Sequence, residues 1–151
     1  MSRPRGAWRR PAALALLLAS TGSATGQDPA AAFRKACSGC HEPALATAQR
    51  QTPAQWRAIV ADMVARGAPG SEDEIAQVTR YLIQRHGVIQ VNRLSATELG
   101  DALGLSGAQA DALVQARTRA NGFDDLDALL GHAPDQREVL LPFRGSLRFD
   151  R

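Results

Sequence analysis

The chain of 151 residues is short of sulfur, of lysine and of long apolar stretches, and each shortage removes a class of explanation. Its two cysteines, Cys37 and Cys40, lie three positions apart, so no disulfide framework ties distant parts of the chain together. The apolar run PAALALLLA near the N-terminus falls far short of the ~20 residues a membrane-spanning helix needs, and no later segment approaches that length. No cysteine follows that run, which argues against a lipid anchor. Lys35 is the only lysine, and the excess of arginine reads as codon bias rather than as a nucleic-acid surface. Sustained period-two alternation is absent, so the pattern predicts an all-α chain. Beyond Met1 there is one methionine, Met63, and from Val88 onward there is neither cysteine nor tryptophan.

The N-terminus itself is patterned. MSRPRGAWRR carries Arg3, Arg5, Arg9 and Arg10 and no acid, the apolar run follows, and STGSATGQ after it is small and polar. That order predicts a secretory signal peptide over residues 1–26, cleaved after Gly26 or Ala24, and a soluble exported protein. Four of the 18 basic residues belong to this segment, leaving 14 against 15 acids, so the processed chain is near −1 instead of +3.

Residues 29–36, PAAAFRKA, form a short helix candidate with Phe33 facing inward, followed by CSGCH and an irregular stretch. Thr52, Pro53 and Gln55 make a helix start with a capping box, and Trp56, Ile59, Val60 and Met63 recur at helical spacing until Gly67. Ser71 and Glu74 form a second box, before a helix lined by Ile75, Val78, Tyr81 and Leu82 and stopped by Gly87. Residues 88–151 then alternate short helical runs with glycine turns, with helix starts at Ser95 (with Glu98) and Ser106. The change in character places a domain boundary near Gly87, giving two very small domains, 27–87 and 88–151, the second ending in a C-terminal tail from about residue 145.

CSGCH is the motif with the most chemistry. Two thiols two residues apart can attack both vinyl groups of a protoporphyrin, while the adjacent imidazole reaches the iron from one face, so the spacing is that of a covalent haem attachment site. A thioredoxin-like couple needs a strand before a helix, which this region does not offer. Half of a zinc site would leave only His86 and His132 as distant nitrogen ligands. In this motif the chain resembles the c-type cytochromes, with Cys37 and Cys40 as thioether anchors for one haem c and His41 as the proximal iron ligand. A haem would also supply an apolar body around which a marginal core of three short helices could pack.

For the sixth iron position Met63 is the candidate, on one helical face with Trp56, Ile59 and Val60; ordinary core packing is its bland alternative and His86 its competitor. TPAQWRAIVADMVARGA is similar to the compact haem domains associated with periplasmic dehydrogenases, and that resemblance implies haem packing by Trp56 and distal ligation by Met63. It lacks the Gly-Pro-x-Leu stretch of the more familiar cytochromes after the histidine, and its methionine comes early. A His/Met pair fills both axial sites, which disfavours oxygen or peroxide chemistry and leaves one-electron transfer.

Residues 89–132 resemble the helix-hairpin-helix domain of competence DNA-uptake receptors, through Val91 and Asn92, SATEL (95–99), LGLSG (103–107), Ala110, ARTRANGF (116–123) and DDLDALL. In that family backbone N–H groups at a glycine-rich hairpin meet a DNA phosphate, with a basic residue behind. Here Gly104 is present, but Ser106 replaces the second glycine and Ala108 stands where a lysine would help. Residues 88–151 hold 7 basic and 9 acidic side chains, so the electrostatic footprint of a DNA binder is absent. Arg117 and Arg119 are the best phosphate candidates, but solvated surface arginines are the simpler reading, and His132, in a loop, is assigned no role. The resemblances together imply a periplasmic electron carrier and not an enzyme, accepting electrons from a periplasmic dehydrogenase or another redox protein. The alternative is a DNA-binding or DNA-uptake protein carrying a structural or redox-sensing haem.

Overall fold

The computed structural model describes residues 28–40 and 42–151. The expected signal peptide and His41, the expected proximal ligand, therefore lie outside the described residues. Among the described residues the fold is carried by eight α-helices, with very little strand, in keeping with the all-α expectation. No helix among them is long and apolar enough to cross a membrane.

Local chemistry sets most of the element ends. Helix α1 (Pro29–Cys37) begins where the Asp28 side chain accepts a hydrogen bond from the Ala30 N–H at 3.0 Å, and it buries Ala32 and Phe33. It runs one residue past the expected end and so carries Cys37 on its last turn. The stretch expected to be irregular holds a single helical turn, α2 (Pro43–Ala46), with Pro43 at its first position. Helix α3 (Pro53–Ala65) starts at the Thr52/Gln55 capping box. It stops at Gly67, whose φ of +94° lets the Gly67 N–H donate to Val64 and the Ala68 N–H to Met63, the paired bonds of a Schellman cap. Helix α4 (Glu72–His86) opens with the Ser71/Glu74 box and ends at Gly87.

Helix α5 (Ala96–Leu103) is capped by Ser95 and Glu98 and ends at Gly104, which is left-handed at φ +72°. After one further residue Ser106 caps α6 (Gly107–Arg119), so the two helices are joined by a tight turn and pack on each other. Next come α7 (Leu126–His132) and α8 (Arg137–Leu140), the latter flanked by 3-10 turns at Pro134–Gln136 and Leu141–Phe143. His132 is the last residue of α7, its ring 5.8 Å from that of Phe123, and not a loop residue as its position after a glycine suggests.

Two short strands were not foreseen. β1 (Ile89–Gln90) pairs in parallel with β2 (Leu147–Arg148), Ile89 opposite Leu147, and a further parallel bridge joins Gln51 to Gly87. A strand of two residues has no periodicity to read, and its pairing depends on a partner far along the chain. Buried side chains on both sides of Gly87 belong to one cluster, from Ala32 and Phe33 through Trp56, Val78 and Leu82 to Leu113, Phe143 and Leu147.

Candidate functional site

Helix α4 packs against both α1 and α3. Between α1 and α3 lies a cleft of about 370 Å³, lined by Phe33 and Cys37 of α1, by Trp56, Val60 and Met63 of α3, and by Val78 of α4 among others. Leu45 of α2 and Val64 of α3, the two exposed large apolar side chains among the described residues (70% and 43% exposed), also line it. Every lining residue is apolar or sulfur-bearing, apart from the indole N–H of Trp56. That group is turned away, donating to the His86 carbonyl at 3.0 Å, and Trp56 itself is 1% exposed. The cleft thus presents mainly carbon and sulfur to whatever fills it.

A second hollow adjoins the first, sharing Ala36, Cys37, Met63 and Ala68 with it and adding Cys40, Asp62 and Arg66. Cys37, Cys40 and Met63 supply the only three sulfur atoms of residues 28–151, and all three line this one hollow although 26 positions separate the first from the last. Both thiols are unpaired; Cys37 is half-buried and Cys40 exposed. Burial pushes the Cys37 thiol up from its ordinary pKa, so the neutral S–H is favoured. Its place at the C-terminal end of α1 offers none of the N–H groups that stabilise a thiolate at a helix start.

The rim is ionic but internally matched. The Arg66 guanidinium meets Asp62 at 2.8 Å, and Lys35 meets Glu74 at 2.6 Å. The hydrogen bond that Arg66 donates to Asp62 raises the Arg66 pKa, and the one that Glu74 accepts from Lys35 lowers that of Glu74. His86, the competing ligand, does not line the cleft; its ring lies edge-on to Tyr81 with centroids 6.1 Å apart. Burial, then the nearby Arg50 and Arg85 charges, lower its pKa and favour the neutral ring. No cluster of three or more His, Cys, Asp or Glu side chains among the described residues could hold a metal ion.

The sequence-derived residues Cys37, Cys40, Trp56 and Met63 are therefore brought together. Sequence reasoning missed Leu45 and Ala46, which reach the cleft from the turn of helix after Pro43, and the proline at a first helical position was the signal available for them.

In the C-terminal half, the hollow beside the α5–α6 turn is lined by Asp101 and Asp111 together with Thr97 and Gly107. Acidic side chains there repel a phosphate. Arg117 is not a solvated surface arginine: one of its nitrogens donates to the carbonyls of Val91 at 2.8 Å and Leu94 at 2.6 Å. Asn92 is likewise internal, its amide bonding both backbone groups of Phe123 and the Phe149 carbonyl. The chain matches no family model, no curated protein and no solved structure.

Proposed function

We propose that this protein is an exported, periplasmic one-electron carrier holding one haem c through Cys37 and Cys40. In this reading residues 27–87 are a small cytochrome c-like domain, and residues 88–151 a degenerate helix-hairpin-helix domain with a C-terminal tail. The observation that carries it is the convergence of all three sulfur atoms of residues 28–151 on one hollow that adjoins the apolar cleft and shares Cys37 and Met63 with it.

The residues present fit the group. A porphyrin offers two broad apolar faces, and Phe33, Val60 and Val78 match them. Cys37 and Cys40 would anchor it as thioethers, His41, which follows Cys40 directly, would be the proximal ligand, and Met63 would provide a soft thioether donor from α3. Trp56 packs in the cleft wall with its indole fixed by the His86 carbonyl. Bound haem would supply a one-electron couple, with His41 and Met63 as the residues that would hold its iron and raise its potential.

What the chain contributes is an apolar lining. The residues lining the cleft carry no carboxylate, imidazole or ammonium group, and the two charged side chains of the adjoining hollow, Asp62 and Arg66, are paired with each other. Electron transfer uncoupled from proton transfer suits such a site. The partner is then a redox protein such as a periplasmic dehydrogenase, and this chain transforms no substrate. Against the DNA-binding alternative stand the net negative charge of residues 88–151 and the carboxylates at the α5–α6 turn.

Protein exported with a host haem-attachment system should exceed the bare processed chain by the mass of one haem and keep its colour through acid-acetone extraction. A mass equal to the bare chain overturns the proposal. Met63→Ala should leave the haem attached, lower the reduction potential and open the iron to carbon monoxide; unchanged spectra transfer the ligand role away from Met63. Salt-sensitive retardation of duplex DNA by micromolar protein would favour the DNA-binding alternative.

A further inference from the structure

The C-terminal tail is bonded at one particular place, the C-terminal end of α4. The last carbonyls of a helix have no partner within it and must find one elsewhere. Here the Gln84 carbonyl accepts from the hydroxyl of Ser146, which is fully buried, at 2.8 Å. The His86 carbonyl accepts both the Gln51 N–H at 3.2 Å and the Trp56 indole N–H at 3.0 Å. Immediately beyond, a single nitrogen of Arg50 donates to the Gly87 carbonyl at 3.2 Å and to the Gly145 carbonyl at 2.9 Å. Arg57 adds a bond to the Asp101 carbonyl at 2.7 Å. The segment that starts α3 and the C-terminal tail are therefore fastened to the same helix end and, through Arg50, to each other.

The opposite end of α3 is held differently. Met63 is half-buried and Val64 exposed, and Gly67 and Gly70 with φ of +94° and +154° follow. Helix α3 is thus a lever fixed near residues 50–57 and carrying Met63 on its far arm. Seven residues separate Trp56 from Met63, about 10 Å of helix, so a tilt of about 5° at the fixed end moves the sulfur by about 1 Å. A metal–ligand bond tolerates only about 0.2 Å.

We infer that residues 88–151 act as a clamp on the cleft, and that Arg50 is its positioning residue, holding α3 at the separation from α1 that Met63 needs. The inference rests on the haem reading above and assigns the second half a task within it. Nothing in the clamp touches the cleft: Arg50, Gly145 and Ser146 are absent from its lining, so they act only through the placement of α3.

The test uses the full-length, haem-loaded chain and the variants Arg50→Ala, Arg50→Lys and Ser146→Ala. The readouts are the sulfur-to-iron charge-transfer band, the rate of carbon monoxide binding to reduced protein, and amide hydrogen exchange across residues 53–65. Arg50→Ala should keep both thioethers, weaken the band and bind carbon monoxide faster by on the order of tenfold, the equivalent of about one hydrogen bond. Exchange should rise in α3 and stay unchanged in α5 and α6. Arg50→Lys should restore part of each change, and Ser146→Ala should act in the same direction. Wild-type band, carbon monoxide rate and α3 exchange in both Arg50→Ala and Ser146→Ala overturn the clamp. If the wild-type chain carries no covalent haem, the electron-carrier reading falls alone, and the clamp is decided by α3 exchange, which needs no haem.

Discussion

Residues 28–87 and residues 88–151 follow the same local rules and finish with different interiors. Each half opens helices with capping boxes, Thr52/Gln55 and Ser71/Glu74 in one and Ser95/Glu98 and Ser106/Gln109 in the other. Yet of the twelve large side chains that are buried most completely, ten lie in the second half, among them Leu99, Leu113, Leu129, Leu140 and Phe143, and only Trp56 and Val78 in the first. The first half instead keeps a cleft of about 370 Å³ with Leu45 and Val64 exposed at its edge. Within the shared cluster the second half buries its large side chains nearly completely, whereas the first leaves an apolar cleft open beside them. An apolar surface that size stays open to solvent only at a free-energy cost, which binding a large apolar group would remove.

The contrast can be broken most directly at the sulfur atoms. On the haem proposal, Cys37→Ser combined with Cys40→Ser should prevent covalent haem attachment and speed amide exchange in α1 and α3, while α5 and α6 keep their protection; equal losses in both halves would refute the division. Next in size, Leu113→Ala in the buried cluster should lower the unfolding free energy by about 3 kcal/mol, against about 0.5 kcal/mol or less for Leu45→Ser at the cleft edge, both read by chemical denaturation. At the junction, a Cβ on Gly87 would overlap the Ile83 carbonyl oxygen, so Gly87→Ala should cost about 2 kcal/mol and be felt by both halves. Thr52→Ala and Ser95→Ala remove the same kind of cap from each half, and each should cost about 1 kcal/mol.

The smallest effect is a matter of pH. The folded His86 pKa is depressed, so the unfolded chain takes up the proton first as acid is added. The stability that neutral His86 contributes is complete above its unfolded pKa of about 6.5 and is lost as pH falls through the lower folded value. His86→Gln should flatten that acid limb of the unfolding curve and leave stability at pH 8 little changed.

Features closed within a few residues were legible in the sequence. A cap needs a hydroxyl and a glutamate or glutamine three positions on, which is why the starts at Thr52, Ser71 and Ser95 could be placed. The spacing of Trp56, Val60 and Met63 likewise put them on one face, and all three line the cleft. Illegible were the bonds that cross the chain. Arg50 reaches Gly145 over 95 positions and Ser146 reaches Gln84 over 62, and neither residue type announces such a partner. Arg117 was misread for the same reason, since an arginine near the end of a helix looks solvated until the carbonyls of Val91 and Leu94 are placed beside it.

The order of residues alone fixed the helical periods, their caps and glycine stops, and the pair of thiols with a histidine behind them, because each is a relation between near neighbours. Folding in three dimensions decided that Cys37, Cys40 and Met63 share one hollow, that α4 ends as the fastening point for α3 and the tail, and that an apolar cleft stays open in the first half. Those outcomes depend on which surfaces meet once the chain has turned back on itself, and burial and hydrogen bonding across such distances are properties of the packed whole.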